Sequence, residues 1–110
     1  MDEAEFDGHV RAALDSLPED ISERLENVAV VVEEDSPESP GILGSFFGYP
    51  RGERIPSGAL PAQVVIYRRP LEAAFPDPAE LQRQIRITVL HEVAHYFGIG
   101  EERLAELGYR

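Results

Sequence analysis

Asp77-Pro78-Ala79-Glu80-Leu81-Gln82-Arg83-Gln84-Ile85-Arg86-Ile87-Thr88-Val89-Leu90-His91-Glu92-Val93-Ala94-His95-Tyr96-Phe97-Gly98 reads as one long helix. Asp77 is a good N-cap, Pro78 suits the first helical position, and Glu80 stands at capping-box spacing from Asp77. Gly98 can take the left-handed conformation that ends a helix. The helix bounded in this way runs for about 20 residues and about 30 Å. Its first half carries Gln82, Arg83, Gln84 and Arg86 and is predicted to be partly exposed. From Ile87 to Ile99 the only formally charged residue is Glu92, so this half is apolar on all sides and should be buried.

An isolated buried carboxylate is expensive, and a cation in the same pocket removes the penalty. The residues beside Glu92 suggest one. His91-Glu92-Val93-Ala94-His95 has the spacing H-E-x-x-H. On a helix the two imidazoles are about 40° apart around the axis and one turn apart in height, so both can point a ring nitrogen at one ion. Glu92 lies about 100° from His91 and about 60° from His95, on the same side. In this motif it acts on a metal-bound water as general base. The competing reading, two satisfied histidines in a helical core, fits the lone carboxylate less well.

The pattern continues downstream as H-E-x-x-H-x-x-G-x-x-E, with Gly98 and Glu101. After a helix-ending glycine the chain can turn back and deliver a further ligand. Catalytic zinc takes three protein ligands and keeps one position open. His91, His95 and Glu101 supply three. Glu102 is the rival for the third place, although a solvated charge in the first turn of the next helix is its expected role. The same solvated role is open to Glu101.

The 110 residues are expected to form a single domain with a modest core. There is no cysteine, so disulfides and thiolate metal sites are excluded and any metal must bind through His, Asp or Glu. No apolar run approaches the roughly 20 residues of a membrane span. The acidic start, Met1-Asp2-Glu3-Ala4-Glu5, resembles neither a signal nor a transit peptide, and a cytoplasmic location is expected. A net charge of −11 disfavours nucleic acid and anionic membrane as partners. All ten basic residues are arginine, which reads as the coding bias of a GC-rich genome. Arg68-Arg69, Arg83 and Arg86 form the only basic clustering, expected as solvated faces and ion pairs rather than a phosphate patch.

Elsewhere Phe6, Val10, Ala13, Leu14 and Leu17 follow an amphipathic helical period that Pro18 ends, and residues 19–25 can restart a short helix. His9 is expected at the surface. Val28-Ala29-Val30-Val31-Val32 is a continuous β-branched run and predicts a strand covered on both faces. Residues 42–49 predict a second strand, weakened by Gly44 and Gly48, where glycine marks a bulge or a close backbone approach. An edge strand beside a groove would use both properties. Residues 50–61 form a Gly/Pro loop able to line or cover a cleft, residues 62–68 a third strand, and residues 101–107 a last short helix.

With these residues in place the chain resembles the zincin metallopeptidases, in particular small bacterial mini-zincins of the Asp-zincin type. The resemblance rests on His91-Glu92-Val93-Ala94-His95-Tyr96-Phe97-Gly98, Glu101 and the Glu106-Leu107-Gly108-Tyr109 ending. It extends over Leu43-Gly44 to Gly48, Ile66-Tyr67-Arg68 and Thr88. It implies an α+β domain, a small twisted sheet of about three strands packed on the long active-site helix, with N-terminal and C-terminal helices. It implies a cleft between edge strand and helix for an extended peptide. Carried over by motif, His91 and His95 are zinc ligands, Glu92 is the general base, and Glu101 stands where the third ligand, usually aspartate, is found. The supporting methionine turn of larger relatives is absent, since Met1 is the only methionine, and the resemblance gives Tyr109 that supporting role.

The activity expected is zinc-dependent hydrolysis of a peptide or protein substrate. The alternative is a zincin-like binding or regulatory domain with a weak or empty metal site, because so short a chain has little room for subsite walls. A homodimer is a further expectation, since a small domain gains core area at an interface. A deformylase would need a cysteine ligand, and the ribosomal-RNA endonucleases a third histidine; neither is present in the required place.

Overall fold

Asp2 and Asp77 each open a helix by the same device, a carboxylate accepting a backbone N–H three residues on. In the computed structural model, which describes residues 1–17, 19–23, 25, 28–49, 57–58, 61–99, 102–103 and 106, these bonds are 2.8 Å to Glu5 and 3.0 Å to Glu80. They start α1 (Glu3–Asp15) and, much later in the chain, the long helix over Pro78–Tyr96. Between them come α2 (Glu19–Glu23), β1 (Val28–Glu33), β2 (Gly44–Phe47), β3 (Ala62–Tyr67) and α3 (Arg68–Ala74), so the long helix is α4. Of the predicted final helix over residues 101–107 only Glu102, Arg103 and Glu106 are described, all three helical, and most of the loop over residues 50–61 lies outside the described residues. Among the described residues no helix is long and apolar enough to cross a membrane.

The strands form one mixed sheet in the order β1-β3-β2. β1 runs parallel to β3, pairing Val30 with Val64 and Val32 with Ile66. β2 runs antiparallel to β3, pairing Gly44 with Ile66 and Phe46 with Val64. This corrects one expectation. The Val28–Val32 run is an edge strand and only half-buried, with Ala29 exposed. The strand covered on both faces is β3, where Val64, Val65, Ile66 and Tyr67 are all buried. Two apolar runs of similar composition occupy different places because only one of them has a hydrogen-bonded neighbour on each side. β2 is an edge strand, as expected, but spans 44–47 rather than 42–49.

The core joins Phe6, Val10 and Ala13 of α1, Val64 and Ile66 of β3, Leu71 of α3, and Leu81, Ile85, Val89 and Val93 of α4. The α4 positions recur every four residues, the spacing of a single helical face. Burying each of the larger side chains contributes about 1.5–3 kcal/mol. α3 was not predicted, and the third strand ends at Tyr67 instead of continuing through residue 68. Tyr67 gives α3 no side-chain cap. Glu34, in the loop after β1, fixes the start instead: its carboxylate accepts two bonds from the Arg68 fork at 2.9 Å and one from Arg69 at 3.1 Å. Pro70 falls in the first turn, where a missing N–H costs nothing.

Candidate metal centre

The second half of α4 is enclosed. Thr88, Val89, Leu90, Glu92, Val93 and Ala94 are all buried. Its end is fixed by backbone geometry. Gly98 has φ +73°, its N–H donates to the His95 carbonyl at 3.0 Å, and the Ile99 N–H donates to the Ala94 carbonyl at 3.1 Å. This nested pair of bonds is the Schellman ending, which uses the carbonyls an α-helix leaves unsatisfied. It turns the chain sharply within three residues of His95, as Gly98 led us to expect.

On this half, potential ligand atoms of His91, Glu92 and His95 lie within 4.8 Å of one another. The two imidazole rings have centroids 4.9 Å apart and meet edge to face at 63°. Both histidines are half-buried, and Glu92 is 8% exposed. Two nitrogens bonded to one zinc at about 2.0–2.1 Å can be no more than about 4 Å apart, so the observed spread is of the right scale. Two imidazoles and a carboxylate are also a donor set that zinc accepts. The residues present therefore fit the ion.

Strand β2 supplies the wall opposite. A Cβ placed on Gly44 would stand 2.9 Å from Thr88 Cγ2, 3.1 Å from Glu92 Cγ and 3.2 Å from the Val65 carbonyl oxygen. The strand can thus lie against the helix at Glu92 only because residue 44 has no side chain. Gly48 makes a second close approach, with φ +120° and its Cβ position 2.9 Å from Ala62 Cα. Farther along, the Phe46 and Tyr96 rings are 6.2 Å apart and brace strand against helix. Beside Gly44 opens a cleft of about 310 Å³, lined by Leu43, Gly44, Gln84, Ile87, Thr88, His91 and Glu92. The Thr88 hydroxyl donates to the Gln84 carbonyl at 2.7 Å, leaving its methyl toward the strand.

His91, Glu92 and His95 are thus brought together. Glu101 and Tyr109 lie outside the described residues. Glu102 is exposed and stands apart from the group. Thr88 and Gly44 had been singled out in the sequence, but their contact with each other could not be read there.

Residues 25–109 match the profile of the zincin-like metallopeptidases. The chain belongs to the zincin-like metallopeptidase family. The matched span of this zincin-like chain takes in the whole sheet, α4, and the positions of Glu101 and Tyr109. Among solved structures it is similar to a conserved hypothetical protein from T. thermophilus, at 22% identity and a TM-score of 0.61. That likeness covers 96% of this chain and 98% of the other, and it shows that the two share a fold. No curated protein matches the chain.

Proposed function

We propose that this chain is a zinc-dependent metallopeptidase. The observation that carries this reading is the convergence of His91, Glu92 and His95 donor atoms within 4.8 Å, beside an open cleft, in a zincin-like chain. His91 and His95 would each hold the ion through one ring nitrogen, and Glu101 is proposed as the third ligand. Bound zinc would supply a Lewis acid that polarises a peptide carbonyl and acidifies water. Glu92 would take the proton from the attacking water on a carboxylate oxygen and return it to the leaving amine nitrogen. Its burial beneath Gly44 holds that carboxylate in one place, so little reorganisation is needed when the proton moves. An extended peptide or protein segment would lie along β2, adding main-chain bonds to the sheet edge.

The test is hydrolysis of an unstructured peptide library by zinc-loaded protein and by Glu92→Gln. The expected result is equal zinc content in both and turnover only in the parent. Equal turnover in the two would end the assignment. A binding or regulatory domain without turnover is the second reading. The modest size of the cleft favours it: about 310 Å³, against about 410 and 460 Å³ for two clefts elsewhere. Peptide binding by a zinc-loaded parent that cleaves nothing would establish that reading.

A further inference from the structure

The four arginines that cluster in the sequence have two different fates. Arg68 and Arg69 are clamped by carboxylates: Glu34 takes bonds from both, Glu72 lies 3.3 Å from Arg68, and Asp35 lies 3.5 Å from Arg69. Among the described residues Arg83 reaches Glu80 alone, at 3.5 Å, and that same oxygen already accepts from Gln84 at 2.8 Å. Arg86 makes no ion pair with any described residue. Both Arg83 and Arg86 border a groove of about 410 Å³ between α1 and α4. Its walls are His9, Ala12, Ala13 and Ser16 on one helix and Ala79, Gln82, Arg83 and Arg86 on the other.

Each wall has the spacing i, i+3, i+4, i+7, a single helical stripe. The alanines and the serine are small, so the helices leave a gap instead of interdigitating. Around the gap stand two guanidinium groups, an imidazole, a hydroxyl and an amide, with no carboxylate among the described residues of the lining. The cleft between α1 and β1 shows the contrast: it too holds an arginine, Arg11, but surrounds it with Glu3, Asp7, Asp15 and Glu34.

We propose that the groove between α1 and α4 is a binding site for a phosphate oxyanion. Guanidinium forks match phosphate oxygens in pairs, and the His9 ring and Gln82 amide add further N–H donors, while the Ser16 hydroxyl is spent on the Ala13 carbonyl at 2.6 Å. The volume falls in the range of small-ligand sites, about 300–1,000 Å³. The overall charge of −11 does not prevent this. At physiological ionic strength the field of remote carboxylates is screened over about 8 Å, so groups in contact decide. Arg86 and His91 are five residues apart, about 140° around the helix, so the groove and the metal group face different directions.

The experiment titrates the 15N-labelled full chain with inorganic phosphate, and in a parallel arm with pyrophosphate, at constant ionic strength. Saturable shifts at His9, Ser16, Gln82 and Arg86 are expected. The tighter arm says whether the ligand carries one phosphoryl group or two. The double variant Arg83→Gln, Arg86→Gln should bind about tenfold more weakly or worse. Arg103→Gln, an exposed charge outside the groove, should change nothing. Non-saturating shifts, shifts centred on His91 and His95, undiminished binding by the double variant, or preference for an acidic peptide would each overturn the proposal. Both substituted side chains are exposed, and an unchanged amide spectrum establishes that the variant is folded.

Discussion

The first and second halves of α4 share one hydrogen-bonded spiral and live in different surroundings. In the first, Leu81 and Ile85 face the core while Gln82, Arg83 and Arg86 are exposed. In the second, from Thr88 to Ala94, only His91 is not buried. The change comes where β2 lies against the helix at Gly44. The first half behaves as a surface helix whose sequence sets its own wet and dry faces. The burial of Glu92 is made by a neighbour, and it depends on one missing side chain 48 residues earlier in the chain.

The largest expected effect tests this contrast directly. Val93→Lys should cost roughly 3–5 kcal/mol, since it buries an unpaired charge, whereas Gln82→Lys should stay within about 0.5 kcal/mol. Urea denaturation of the two variants measures both. Next comes the close approach itself. Gly44→Ala should destabilise by about 1–3 kcal/mol through overpacking against Thr88, Glu92 and the Val65 carbonyl. Gly8→Ala, in α1 with nothing within 4 Å of the added carbon, should instead stabilise by about 0.5–1 kcal/mol. If both glycine variants shifted stability in the same direction, the role given to Gly44 would be wrong.

Asp77→Ala removes the cap of the first half and should cost about 0.5–2 kcal/mol in thermal unfolding, with zinc affinity little changed. The smallest effect concerns Glu34, in the loop after β1. The hydrogen bond from Arg68 holds its carboxyl below the usual carboxylate range, and the Arg68 value is raised in return. Its contribution is therefore fully present above the ordinary carboxylate pKa and is lost as pH falls through the lowered one. A pH series of unfolding midpoints should show Arg68→Gln converging on the parent at the acid end. A gap that widens there would contradict the pairing.

The expectation for α4 was met from Asp77 to Gly98 because each signal is local: a cap, a first-turn proline, a terminal glycine. His91, Glu92 and His95 were legible for the same reason, since residues at i, i+1 and i+4 of one helix are placed by helical geometry alone. α3 was missed because its start depends on Glu34, more than thirty residues away, and on no cap of its own. The edge position of β1 was missed because a run of valines does not reveal how many strands will pair with it. Gly44 was visible as an anomaly within a strand, but not the atoms it would meet.

The arginines divide along the same line. Their clustering is a property of the chain; which of them finds a carboxylate is a property of the fold. By itself the sequence determined α1, α4, the candidate ligand pair and its carboxylate, because these follow from bonds and angles within a few residues. The tertiary structure decided which strand is central, how closely β2 approaches Glu92, and where a groove stays open, because each depends on surfaces meeting across the chain.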